Sequence, residues 1–471
     1  EFRWNRVVVP AYAVRSTYFS TTGSGSAVGT DANRWLLRGN GRISAPDAGM
    51  LLRWWTDNRW LQGGRLEARY QVEAPSDRPA DLTLRGNVRL VDALPRLPET
   101  ALPFRDEEAR IQNLTGAFTY RHGVTSFQDL LWTAPRFTAR ANGSFARGVL
   151  ESRFRLSTGQ WREIAPELAS TLPIAGGLLT VEGSTRGALS RLAQSPVTGV
   201  IRLTGARLSS NRNASAPVDG GVVDLRANVR GTLNTLAGSD VEGAFSVRNV
   251  QLPPLRKNAE TVRVHGITGA FRRRGSTVML SNLEANAPGV KLTGSGELQG
   301  VGTGKASHAF RFAASGSSLA SVLPAVTPLP GTAVGGEFRG SLRLTGNASQ
   351  RLASLQGEAE VRNLKWTPPG QEIPLEVRSM SARVTRTGSE AVIDRARLNL
   401  VGGTASLTGT FKDLGTQQGE RHSVRVTWRF EDASAWATRF LPVPGWFTGG
   451  VFSGRATIDG TAADPARAAS G

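Results

Sequence analysis

The chain contains no cysteine, so neither a disulfide nor a thiolate-bound metal holds it together. An oxidising compartment, where stray thiols are a liability, fits that absence. Lysine is scarce as well. Lys257, Lys291, Lys305, Lys365 and Lys412 are the only five among 57 basic residues, and the other 52 are arginine. The arginines are spread evenly, with Arg272 to Arg274 the one run, and this predicts solvated strand faces. The net charge of +19 would ordinarily bring nucleic acid or an anionic membrane into view. No aromatic-interleaved basic patch of the kind that stacks bases is present, so nucleic acid is not expected and phospholipid headgroups rank ahead of it. No run approaches the length of about 18 apolar residues that a membrane-spanning helix needs.

The materials of catalysis are short too. The four histidines, His122, His265, His308 and His422, stand far apart in sequence and predict structural roles, with His122 in the turn YRHG and His265 and His308 in strands. The 38 carboxylates are scattered. Their one run of three, Asp106 to Glu108, lies near Pro103 and reads as a solvated turn rather than an acid/base or calcium site. GTGKAS around Lys305 lacks the spacing of a phosphate loop. The expectation is a protein that is not an enzyme and uses neither metal nor cofactor.

Glycine, at 54 residues, is what the chain has in plenty, and it is placed periodically. Gly340, Gly346 and Gly357 recur at the same spacing as Gly454, Gly460 and Gly471. A leader precedes each set, TPLPGTAVGG from Thr327 and LPVPGWFTGG from Leu441, with looser copies in LPIAGGLLTVEG from Leu172 and WLQGGRLEARYQVE from Trp60. Short amphipathic segments come before the leaders: Asp47 to Trp55, EIAPELAS from Glu163, SSLASVLP from Ser317 and ASAWATRF from Ala433. Each predicts about two helical turns. Trp54 and Trp55 on the first read as plugs capping a core edge ahead of lipid contacts.

Everything else prefers strand. Val424, Val426, Trp428 and Phe430 alternate with Ser423, Arg425, Thr427 and Arg429; Val223, Leu225, Ala227 and Val229 alternate with Asp224, Arg226, Asn228 and Arg230. Such alternation suits a sheet with one apolar and one wet face. A second repeated block superposes PRFTARANGSFARG around Gly143, GVKLTGSGELQG around Gly296 and GTASLTGTFKD around Gly409. Its columns run Phe137, Val290, Gly403; Ala139, Leu292, Ala405; Ala141, Gly294, Leu407; and Phe145, Leu298, Phe411. The glycine column predicts a strand end or bend at a set place. About 40 extra residues in the second repeat form an internal echo, GVIRLTGARL from Gly199 against GAFSVRNVQL from Gly243, with a further echo, GEAEVRNLKW, from Gly357. The chain thus reads as an all-β array. A first repeat covers 1–170, a second with the insertion 171–327, a third 328–441, and a fourth begins at 442–471. Both ends read as cuts through a longer chain.

So much apolar strand face needs covering, by a second sheet, by closure into barrels or a solenoid, or by a bound apolar ligand in a curved sheet. The order of short helix, LPxxGG leader, strand, glycine and V-R-N strand in Ser318 to Trp366, and again in Pro442 to Gly471, resembles the AsmA and TamB group of bacterial envelope proteins. That resemblance implies an elongated antiparallel sheet curled into a hydrophobic, taco-like groove; at ordinary strand lengths a chain of this size would hold roughly 35 strands. It implies passage of phospholipid through the periplasm of a diderm bacterium, between inner and outer membranes. It implies a monomeric array held to the inner membrane by a segment outside this sequence, with inner- and outer-membrane proteins as partners at its ends. The groove floor would be Phe137, Phe145, Val223, Leu225, Val229, Leu292, Leu298, Phe310, Phe312, Leu407, Phe411, Val424, Val426, Trp428 and Phe430. Scaffolding of outer-membrane protein assembly and a β-solenoid adhesin are the alternative roles, the latter disfavoured by the 114-residue spacing of Gly340 and Gly454.

Overall fold

A computed structural model describes residues 5–31, 34–56, 61–95, 109–164, 174–188, 191, 194–208, 219–232, 239–252, 262–301, 305–321, 332–347, 353–367, 372, 374–413, 421–432, 449–461 and 468–470. The protein is all-β, with twenty-six strands among those residues rather than about 35. The expected number was too high because most strands run ten residues or more, up to the sixteen of Thr332–Asn347, against an ordinary length of about five or six.

Two compact units divide the chain: residues 1–207 with 223–243, and residues 208–222 with 244–471. In the first lie β1 (Arg6–Arg15), β2 (Ser20–Asp31), β3 (Arg34–Ala45), β4 (Leu61–Pro75), β5 (Thr83–Pro95), β6 (Ile111–Arg121), β7 (Val124–Thr133), β8 (Thr138–Ala146), β9 (Val149–Thr158), the two-residue β10 (Ile174–Ala175), β11 (Leu178–Ala188) and β12 (Pro196–Leu208). Strands β13 (Asp219–Thr232) and β14 (Asp240–Leu252) each contribute residues to both units. The second unit holds β15 (Val262–Arg274), β16 (Thr277–Ala287), β17 (Val290–Gln299), β18 (Ser307–Gly316), β19 (Thr332–Asn347), β20 (Ser354–Thr367), β21 (Leu375–Thr387), β22 (Glu390–Leu400), β23 (Gly403–Lys412), β24 (Arg421–Phe430), β25 (Phe452–Thr461) and β26 (Ala468–Ser470).

Within each unit successive strands pair antiparallel, β1 through β9 then β11 and β12, and β15 through β26. Neither set closes into a barrel among the described residues. Sequential antiparallel pairing also differs from the parallel coil-on-coil stacking of a β-helix.

Helices are few. The segment at Asp47 gives α1 (Ala48–Thr56), whose first turn is capped where Met50 N–H donates to Asp47 Oδ1 at 2.9 Å. The segment at Glu163 gives α2 (Trp161–Ile164), and that at Ser317 a single 3-10 turn, Leu319–Ser321. The remainder of those two segments, the segment at Ala433 and the Asp106 to Glu108 run fall outside the described residues. Trp54 does not plug a core: it is 60% exposed and stacks on Tyr18, ring centroids 5.7 Å apart. His122 takes the left-handed conformation with Gly123 (φ 50° and 76°), a pair suited to a tight hairpin turn.

The leader glycines have a specific job. Gly64, Gly177 and Gly336 of the leaders, and Gly221 at the start of β13, all adopt φ between 83° and 95°. On the strand that follows each, a second bulge sits at Asp92, Gly205, Asn249 or Asn363, with φ from 56° to 65°. In β4 and β5 the ladder runs Gly63 to Ala93 and then Arg65 to Val91; in β19 and β20 it runs Gly335 to Leu364 and then Glu337 to Arg362. One residue is thus skipped on both strands at once. A skipped residue turns the inward period from two to three, so Leu90 and Ala93, Leu203 and Ala206, Val247 and Val250, and Val361 and Leu364 all face inward and are buried. The V-R-N sequence of β14 and β20 is therefore a bulge rather than a regular strand.

The Gly143, Gly296 and Gly409 column ends no strand, but each member sits beside a bulge at the same place in the preceding strand, which is where the chain bends. On the following strand the ladder past each is continuous, while on the preceding strand the register slips directly opposite each, between Phe127 and Leu130, Leu280 and Leu283, and Ile393 and Ala396. Each glycine leaves room for a neighbour's side chain. A Cβ on Gly143 would lie 2.6 Å from Phe127 Cζ, and one on Gly454 2.6 Å from Trp428 Cζ2; one on Gly296 would run into the Phe310 ring. The large side chain is the direct cross-strand partner in each case, so an aromatic ring lies flat where the glycine has nothing.

Candidate functional site

Cross-strand register sorts the second unit into two chemically opposite faces. One row crosses ten strands, β16 to β25, through Leu283, Gly294, Phe312, Leu342, Gly357, Val384, Ile393, Gly409, Val424 and Ile458. The row beside it runs Ala285, Leu292, Ala314, Gly340, Ala359, Ala382, Ala396, Leu407, Val426 and Ala456. Neither contains a polar side chain. On the reverse face, flanking the second row, the ladder through Lys291, Ser315, Arg339, Glu360, Ser381, Arg397, Ser406, Thr427 and Arg455 is polar throughout. The first unit repeats the arrangement, with Ile43, Ala68, Val88 and Gly116 in one row and Ala141, Phe154, Gly183 and Gly199 in another.

Most apolar-face side chains are half-buried. Strands pack extensively only on their sheet neighbours, while α1 rests on β4 and β5 and the 3-10 turn at Leu319 rests on β19 and β20. Both helical segments lie at the bulged end of the strands, where the buried clusters gather: Ala48, Leu90, Ala93 and Ile111 in one, Val361, Leu364, Val377, Leu400 and Phe430 in the other. Each unit therefore has an apolar face closed at the bulged end and left without a second layer along the rest, among the described residues.

The fifteen residues expected to form a floor divide accordingly. Phe312 and Val424 share the first ten-strand row, Leu292, Leu407 and Val426 the second. Phe310 stacks on Phe312 with centroids 5.7 Å apart and planes at 11°. Trp428 faces the same way and tilts against Phe452. Leu298 is the cross-strand partner of His308, and Phe411 that of His422, towards the end away from the bulges; Phe145 holds the equivalent place on β8, opposite Leu150. Leu225 is half-buried on β13. Phe137, Val223, Val229 and Phe430 share this face but are only 3% to 6% exposed. Phe430 belongs to the closed cluster beside the β20 bulge, and Phe137 packs edge-on to Trp132 at 5.2 Å, so these two serve packing.

One polar feature on this face went unread in the sequence. Tyr12 on β1 and Tyr70 on β4 reach over Gly23 and Gly41 and meet with their hydroxyls 2.6 Å apart, with Thr21 Oγ1 3.1 Å from Tyr70. Burial first, and then the hydrogen bond with Tyr70, push the Tyr12 phenol up to about 12. The four-glycine pattern Gly23, Gly25, Gly39, Gly41 was the available signal, because bare backbone on an apolar face needs something to cover it.

Fold and face together define a class, a repetitive antiparallel sheet with one continuous apolar face and one charged face in each unit. Compared with family models, characterised proteins and solved structures, the chain matches none. Among the described residues no group of histidine and carboxylate side chains could hold a metal ion, and no helix is long and apolar enough to cross a membrane.

Proposed function

We propose that the chain is a segment of an AsmA/TamB-like lipid-transfer bridge, carrying phospholipid acyl chains along its apolar face through the periplasm of a diderm bacterium. The observation that carries this reading is the pair of ten-strand rows without a polar side chain and, among the described residues, without a covering layer. An acyl chain laid on such a surface gains about 0.8 kcal/mol per buried methylene, which retains a lipid without any catalytic group. Movement along the rows needs uniformity rather than a tight pocket. Columns of Val, Leu, Ala and Phe that recur from strand to strand supply it. Phospholipids are the cargo, membrane proteins at the ends of the full-length chain the partners, and no bond is made or broken.

The test is organic extraction of the purified protein followed by lipid mass spectrometry, beside a variant carrying Phe312→Asp and Val426→Asp. Co-purified phospholipid, lost from a variant that keeps its β circular-dichroism spectrum, is the expected result. A well-folded wild type free of lipid overturns the proposal.

A further inference from the structure

On the polar face of the first unit, β3, β4 and β5 assemble a grid in which each strand carries one guanidinium and one carboxamide group. One row is Asn40, Gln71 and Arg85; the adjacent row is Arg42, Arg69 and Asn87. All six side chains are exposed and line a single shallow concavity with no carboxylate among its lining residues. The grid is partly preset. Ser24 Oγ donates to Asn40 Oδ1 at 3.2 Å, and Arg85 Nε donates to Gln71 Oε1 at 3.0 Å, leaving the outer amide and guanidinium N–H groups available. Arg42 and Arg69 are direct cross-strand partners, a like-charge pairing that costs stability. Glu67 answers Arg42 at 2.7 Å. Arg69 has no hydrogen-bond or ion-pair partner among the described residues.

Three cations and three amides with both donors and acceptors, on paired strands about 4.8 Å apart, suit a ligand that presents carboxylates and hydroxyls in alternation. Base stacking is not provided for, since no aromatic side chain projects among the six. Nor does this patch offer an apolar side chain for insertion into a lipid surface. We infer that this grid binds an acidic polysaccharide, with uronate carboxylates held in the guanidinium forks of Arg69 and Arg85 and sugar hydroxyls on Asn40, Gln71 and Asn87. This is a second binding surface on the face opposite the apolar rows, and it does not depend on what those rows carry.

The experiment is calorimetric titration of the whole chain with oligogalacturonate, with neutral dextran, a single-stranded oligonucleotide and phosphatidylglycerol vesicles as comparators. Two double variants accompany it, Arg69→Gln with Arg85→Gln in the grid and Arg425→Gln with Arg455→Gln elsewhere on a polar face. The expected result is oligogalacturonate binding that falls at least tenfold in the grid variant only, with dextran silent. Absence of wild-type binding overturns the inference. So does an equal fall in both variants, which would mark diffuse charge, and so does grid-dependent binding of the oligonucleotide or vesicles as tight as that of the saccharide.

Discussion

A side chain at the wrong backbone conformation shows most directly what the paired bulges require. Gly336 sits at φ 85°, and a Cβ there would lie 3.0 Å from Leu364 Cδ1 and 3.1 Å from Leu319 Cβ. Gly336→Ala should therefore destabilise the protein by about 1–3 kcal/mol in urea unfolding. Asn363, at φ 56° on the facing strand, should accept glycine with little change, whereas Asn363→Val should cost about 1–2 kcal/mol. Tyr12 offers a readout by pH. Its folded phenol is raised from 10.0 to about 12, so the folded state holds the proton more tightly. The bridge to Tyr70 then contributes its full stability below pH 10 and loses it as the pH climbs towards 12. Tyrosinate absorbance should show one late-titrating phenol, absent from Tyr12→Phe.

Between adjacent strands, the recurring unit is an aromatic ring on a glycine. Gly296→Ala should destabilise by about 1–3 kcal/mol through overpacking against Phe310, and far less in a Phe310→Ala background. A double-mutant cycle should give a coupling of at least about 0.5 kcal/mol, and an additive cycle would mean that the ring does not rest on the glycine. At this scale sequence and structure part company instructively. The columns through Phe145, Leu298 and Phe411 were legible because strand geometry has a period of two and every copy keeps it. The bulges were not, because V-R-N alternates as a strand does until the asparagine adopts a left-handed conformation. Its trace in the sequence was the recurrence of Asp or Asn, Asp92, Asn249 and Asn363, a few residues before the strand ends. Which apolar residues are buried could not be read either: Phe430 and Phe312 look alike in the pattern, and only the bulge beside Val361 and Leu364 closes over the first.

For the molecule, an insertion must be even. Among the described residues, and setting aside the two-residue β10, the second repeat has eight strands to the third's six, an excess of two that matches the echo between Gly199 and Gly243, which fall on β12 and β14. In an antiparallel sheet an odd number of added strands would leave the next leader at the opposite end, away from the bulged edge. Deletion of residues 199–242 should thus leave a cooperative β protein by circular dichroism and urea unfolding. Removal of a single strand from the same region should not.

That parity acts as a ruler. Neighbouring strands lie about 4.8 Å apart, so growth by hairpins lengthens such a sheet in steps of about 10 Å. A lineage could then change the length of the sheet by duplicating or losing one hairpin at a time, keeping every leader at the same edge at every step.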